Sequence, residues 1–169
     1  MDPLQALIEF LNSLSQDPVA YSVVFFIYAV AASTFLPIPV EIGLFFSPGT
    51  PLLFKALVLG AGKATGSVLV FKLGGRVGGS FDRLASRHRF FGRFMDLMRM
   101  FVARTRYLGL YIILSIPLMV DTLPVYLFAL FNQEGVMDIR RFALTNFLAG
   151  VTRALLVFGI AELFGVRLI

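Results

Sequence analysis

Two apolar runs in this chain are each broken by prolines followed closely by one carboxylate, a pattern with few physical solutions. Residues 19–40 carry no charge, which is long enough to cross a hydrocarbon core of roughly 30 Å. The run ends at Phe35-Leu36-Pro37-Ile38-Pro39-Val40-Glu41. Pro37 and Pro39 remove backbone donors and disfavour helix in the residues before them. Ile42 to Phe54 adds thirteen uncharged residues, interrupted at Ser47-Pro48-Gly49-Thr50-Pro51. As a helix they would span about 20 Å, too short for a crossing. The spacing therefore predicts a re-entrant hairpin that enters and leaves by one face. From Tyr107 the pattern recurs: fourteen uncharged residues reach Val120, then comes Asp121, bracketed by Pro117 and Pro124. Either one kinked helix carries Asp121 near its centre, or a second broken hairpin holds it near the tip. Prolines on both sides favour the hairpin. Irregular backbone at that depth must line a cavity or pack against protein.

Composition agrees with a lipid environment. The chain is 58% hydrophobic and 15% charged over 169 residues, with mean hydropathy +0.85. A globule of this size buries only about two-thirds of its chain surface, too little to hide so many apolar side chains. Nineteen Phe suit lipid-facing helices, and with no Trp the five Tyr must mark the interfaces. Without Cys there is neither a disulfide nor a thiolate metal site. Of the basic residues, eleven lie between Lys55 and Arg106 against Asp82 and Asp96, while four face eight acids elsewhere. That bias reads as positive-inside charge on the cytoplasmic side of a cell (plasma) membrane. Nucleic-acid binding does not suit so apolar a chain.

The opening residues carry Asp2 and Glu9 and no Lys or Arg, unlike a cleavable signal peptide. Asp2-Pro3 can start a helix. Leu4, Leu7, Ile8, Leu11 and Leu14 follow at helical spacing, as an interfacial helix or one packed on the rest.

The two broken regions align. Pro37 falls on Pro117, Val40 on Val120 and Glu41 on Asp121. With a slightly longer offset Ala56-Leu57 falls on Ala143-Leu144, Thr65 on Thr152, Leu69-Val70-Phe71 on Leu156-Val157-Phe158, and Gly78 on Gly165. The expected fold is an all-α integral membrane protein in one domain: an inverted repeat of helix, broken re-entrant hairpin and helix. Repeat one covers about 19–79, a basic amphipathic connector about 80–106, and repeat two about 107–165. With the basic stretch inside, the first hairpin inserts from outside and the second from the cytoplasm, so the broken segments meet at mid-membrane. Secondary transporters commonly place binding sites there. In the connector, Phe81, Leu84, His88, Phe91, Met95, Met98 and Val102 share one helical face, which suits an anionic membrane surface, with a solvated loop that only fixes topology as the simpler alternative. Gly74-Gly75 and Gly78-Gly79 are the expected hinge into it.

At these residues the chain resembles the DedA family, also called the VTT or SNARE-associated Golgi protein superfamily. Pro37-Ile38-Pro39-Val40-Glu41 resembles its proline-rich segment ending in an acid. Gly62, Gly66, Phe71, Gly75 and Gly78 resemble its glycine-spaced helix, and Ile116-Pro117 through Asp121 and Pro124 its second hairpin. Phe142 to Asn146 with Gly150 resembles the final helix. The family's arginine beside the second hairpin's proline is absent here. Leu114 and Val120 stand in those places, so a mechanism needing that arginine requires Arg153 to supply it from the last helix. The resemblance implies two broken hairpins in inverted repeat and movement of lipids between leaflets, as a flippase or scramblase. Phospholipids and polyprenyl-phosphate carriers are the implied substrates, with a proton or other cation as coupling ion.

An ionised group at the bilayer centre costs several kcal/mol unless paired or hydrated, which singles out Glu41, Asp121, Lys63 and Arg153. Removing a carboxylate from water favours its protonated form, a basis for proton coupling. Lys63 and Arg153 can pair with the acids or with a lipid phosphate, Arg in bidentate fashion. A structural ion pair, or snorkelling in the case of Lys63, is the plainer alternative. Ser33, Thr34, Ser115 and Thr122 read as hairpin caps, and Gly62 with Gly66 as a site of close helix approach. His88 is the sole histidine, and neither a metal cluster nor a nucleophile–base pair is visible. An enzyme is therefore not expected, nor a cofactor or metal. The expected partners are membrane lipids, a phosphate-bearing one among them, and a second copy of the chain. A small-solute or ion transporter and a non-transporting membrane assembly protein are the other readings.

Overall fold

The computed structural model describes residues 17–36, 39–47, 49–85, 89–132, 135 and 137–164, of which 74–85, 89–96, 98 and 99 by backbone alone. All regular structure among them is helical: α1 Pro18–Thr34, a 3-10 helix Val40–Phe45, α2 Leu52–Ala85, α3 Arg89–Ser115, α4 Thr122–Leu130 and α5 Ile139–Leu163. Asp17 starts α1 by accepting from the backbone N–H groups of Val19 (2.8 Å) and Ala20 (3.4 Å), with Pro18 in the first turn. Asp138 caps α5 in the same way, through the N–H groups of Arg140 and Arg141.

Chain breaks fall where the prolines predict, with one exception. Residues 35–39 separate α1 from the 3-10 helix, and Pro39 sits at the start of that helix. Pro37 lies outside the described residues, as do His88 and the N-terminal segment through Gln16. Residues 116–121 separate α3 from α4, with Pro117 in the break. Asp121 therefore sits between two helices and not within one kinked helix. Pro124 does not break the chain: it occupies the first turn of α4, where a missing N–H costs nothing because that group would have no intrahelical partner.

The glycine pairs at 74–75 and 78–79 are not a hinge. α2 runs through them to Ala85. Glycine lowers helix propensity by about 1 kcal/mol, yet it keeps its N–H, so the hydrogen-bond ladder can continue. The bend lies later, at Arg106 (φ 44°, ψ −131°) inside α3, next to the expected boundary between connector and second repeat. Of the apolar face assigned to the connector, Val102 is the one side chain described, and it is buried in the protein core. Leu97, Met100 and Phe101 are the large apolar side chains exposed among the described residues of that stretch.

Two apolar clusters organise the packing. One joins Tyr21, Phe25, Ala29 and Ala32 of α1 and Val40 and Leu44 of the 3-10 helix to Ala56, Leu59, Ala154 and Val157. The other joins Val70 of α2 with Val102, Leu110 and Leu114 of α3, Val125 and Phe128 of α4, and Phe142 and Ala149 of α5. Leu59 thus shares a cluster with Val157, while Phe71 packs on Phe142 (ring centroids 5.0 Å apart), so α2 and α5 run antiparallel. Glycines set the crossings. A Cβ on Gly62 would stand 2.5 Å from that of Ala29, and one on Gly66 2.9 Å from the Val30 carbonyl, which is the close approach expected of this pair. The α2–α5 crossing uses another pair: a Cβ on Gly150 would lie 2.9 Å from Gly60 Cα. Leu52–Leu73 and Ile139–Leu163 are long and apolar enough to cross a membrane, and Pro18–Thr34 is a shorter apolar helix.

Candidate functional site

Between the two apolar clusters lie Lys63, about a third of the way along α2, and Arg153, just past the middle of α5. Helix geometry turns both inward, and the two breaks deliver Glu41 and Asp121 to them. All four side chains are 0–1% exposed. Arg153 Nη1 stands 2.9 Å from Asp121 Oδ1 and 3.2 Å from Glu41 Oε1. Lys63 Nζ stands 3.2 Å from the same Asp121 oxygen. Every ionisable residue expected at depth is therefore in one cluster, with two acids balancing two bases.

The cluster also holds the broken backbone together. Lys63 Nζ donates to the carbonyl of Leu114 (3.3 Å), in the last turn of α3, and Arg153 Nη1 to that of Met119 (3.0 Å). Glu41 Oε1 accepts the Leu118 N–H at 2.9 Å. The break between α3 and α4 exposes carbonyls and N–H groups that a helix would pair internally, and charged side chains from three other elements take them up. Leu118 adopts φ 61°, a conformation costing of order 1–3 kcal/mol outside glycine and held here by that contact to Glu41. Its side chain is 73% exposed, so the cluster lies directly beneath a surface residue.

Several buried polar atoms find no hydrogen-bond partner among the described residues: Glu41 Oε2, Asp121 Oδ2, Asn146 Oδ1, and Nε and Nη2 of Arg153. Such groups are uncommon and costly in a dry interior. Asn146 was not a candidate from its sequence position. Its amide donates to the Phe142 carbonyl at 2.9 Å, one turn back in α5.

The four hydroxyls behave differently from one another. Ser33, Thr34 and Ser115 donate back to the carbonyls of Ala29, Val30 and Tyr111 in the last turns of their own helices. Thr122, at the start of α4, instead reaches the end of α1, 3.0 Å from the Ala32 carbonyl and 3.2 Å from that of Leu36. It ties the second break to the first. Thr122→Val keeps the shape and should destabilise by about 1–2 kcal/mol. Exposed Thr65 donates only within its own helix, to the Ala61 carbonyl, so Thr65→Val should leave the thermal midpoint nearly unchanged. Equal midpoints for the two variants would remove the linking role.

Lys55 is a third buried cation, 2% exposed. Its Nζ donates to the Leu44 carbonyl at 3.1 Å and lies 5.8 Å from the Tyr21 ring centroid. The Tyr21 hydroxyl in turn donates to the Gly43 carbonyl at 2.9 Å. These contacts anchor the 3-10 helix that carries Glu41. In the sequence Lys55 merges with the basic stretch that follows, which hid this role. Among the described residues, no three of His, Cys, Asp and Glu are grouped as a metal ion would need. Comparison with models of known protein families, with curated proteins and with solved structures found no match.

Proposed function

We propose that this chain is a membrane transporter of the flippase or scramblase type, moving a phospholipid or polyprenyl-phosphate lipid between leaflets. Glu41, Asp121, Lys63 and Arg153 form its central site. The observation that carries the proposal is the inversion of the usual polarity: four charges in the interior and apolar side chains outside. Val19, Ile27, Leu53, Leu144, Leu155, Ile160 and Leu163 are all exposed, on α1, α2 and α5. In water such a surface would promote aggregation, whereas lipid makes it the lower-energy exterior. Charges at membrane depth are costly unless paired and generally serve transport or relay.

The inverted repeat has support from the same geometry. α2 and α5 run antiparallel, and each follows a helix and a short broken segment carrying an acid. Lys63 and Arg153 meet those acids at the α2–α5 crossing, as expected of broken elements converging near a bilayer midplane. Arg153 reaches the Met119 carbonyl, two residues from Pro117, which supports its standing in for the arginine that DedA proteins carry there. We place the protein in the cell membrane, with a proton or cation as its coupling ion.

The test is reconstitution of the purified chain in liposomes, following leaflet exchange of labelled phospholipid and labelled polyprenyl phosphate, with and without an ion gradient. Exchange of either lipid well above protein-free liposomes is the expected result. Folded protein that exchanges neither would contradict the proposal, and gradient-driven uptake of a small solute would replace it.

A further inference from the structure

Among the described residues, Arg153 meets its polar partners through one nitrogen. Nη1 faces Asp121 Oδ1, Glu41 Oε1 and the Met119 carbonyl at 2.9, 3.2 and 3.0 Å. Nε and Nη2 are buried and find no partner among the described residues. Those two nitrogens form one straight edge of the planar guanidinium, and their N–H bonds run parallel. That spacing matches two oxygens of a phosphate or carboxylate group, the arrangement of a bidentate pair. An uncharged partner would satisfy the hydrogen bonds but not exploit the charge. Asn146 Oδ1, about two turns back in α5, is a buried acceptor without a partner among the described residues, and Lys55 is engaged elsewhere. Neither offers such a fork.

We infer that the Nε–Nη2 edge of Arg153 seats a phosphate-type oxyanion. The inference rests on the transport reading for the identity of the carrier, the phosphate of a lipid. Lys63, 3.2 Å from the same Asp121 oxygen, adds a second positive charge to the region. With both acids ionised the four residues sum to zero formal charge, so a seated monoanion leaves −1, and its entry together with a proton or cation restores balance. The broken segment touches the cluster through the Leu118 N–H on Glu41 and the Met119 carbonyl on Arg153, and the Leu118 side chain is exposed.

The experiment is calorimetric titration of the purified full chain in detergent with three probes: a short-chain prenyl monophosphate, the matching prenol, and inorganic phosphate. Prenyl monophosphate should bind and prenol should not. Arg153→Lys keeps the charge but lacks the fork, and should weaken prenyl monophosphate binding about tenfold or more, the loss of one charge-assisted hydrogen bond. If that variant does not fold, Glu41→Gln/Arg153→Gln removes one acid with the base, keeps the cluster neutral, and should show the same loss. Inorganic phosphate binding as tightly as the prenyl phosphate, with the same dependence on Arg153, would uphold the fork and shift its ligand from a lipid to a free solute. No phosphate binding to wild-type protein, or unchanged affinity in a folded Arg153 variant, would overturn the inference. Leaflet exchange by wild-type liposomes is measured separately, so transport can stand while the fork fails.

Discussion

Arg153→Met should destabilise the folded protein by about 3–5 kcal/mol, the cost of removing one partner from a buried ionic group. Arg153 is fully buried and neutralises Glu41 and Asp121 together while donating to the Met119 carbonyl. Without it two carboxylates face Lys63 alone, and one carbonyl of the broken backbone loses its donor. Methionine fills much of the volume, so the loss is electrostatic and not a packing cavity. Adding Glu41→Gln should recover part of the stability, because two charges then remain in balance. Leu155, two residues along α5 and 46% exposed, is the comparison: Leu155→Met should change stability by no more than about 0.5 kcal/mol. Denaturant titration in detergent, followed by helical circular dichroism, reads all three variants. An Arg153→Met protein as stable as wild type would mean that the charges do not depend on one another.

Gly150→Leu should cost about 3 kcal/mol, the upper end for overpacking a tight contact, or prevent folding altogether. A Cβ at this position would lie 2.9 Å from Gly60 Cα and 3.0 Å from Lys63 Cδ. Backbone cannot yield there without parting α2 from α5. Lys63 would be pushed from Asp121 at the same time, so lipid exchange should fall even in protein that folds. Gly159 lies on the same helix with nothing within 4 Å of an added Cβ. Gly159→Ala should therefore be neutral or stabilising by up to about 1 kcal/mol through helix propensity alone. Equal thermal midpoints for Gly150→Leu and wild type would show that the crossing is looser than this contact implies.

The charged residues of the site were legible in the sequence because isolated ionisable groups in apolar runs have few places to go. Glu41, Asp121, Lys63 and Arg153 follow from that argument alone, and so do the chain breaks before Glu41 and Asp121. Their mutual contacts were not legible, since each comes from a separate element and only packing decides which meet. The glycines show the same limit. Gly62 and Gly66 form a spaced motif that announces a crossing, whereas Gly60 and Gly150 are ninety residues apart and become a pair only when α2 and α5 align. Gly74 to Gly79 misled because low helix propensity is a weak local term, and the ladder of hydrogen bonds in α2 outweighs it. Pro124 misled for a related reason: a proline breaks a helix in its interior but is tolerated in its first turn. Leu118 carries no sequence signal for its left-handed backbone. That conformation accompanies its N–H contact with Glu41, 77 residues away.

The most direct measurement is the rate of leaflet exchange by Asp121→Asn relative to wild type, in liposomes holding equal amounts of protein with matched helical content. Asparagine keeps the size of the side chain and removes the charge shared by Lys63 and Arg153. A fall of about tenfold or more, equivalent to about 1.4 kcal/mol in the barrier, is the result predicted if lipid passes through the buried cluster. An unchanged rate in folded Asp121→Asn protein would contradict it and leave the four charges a purely structural assembly.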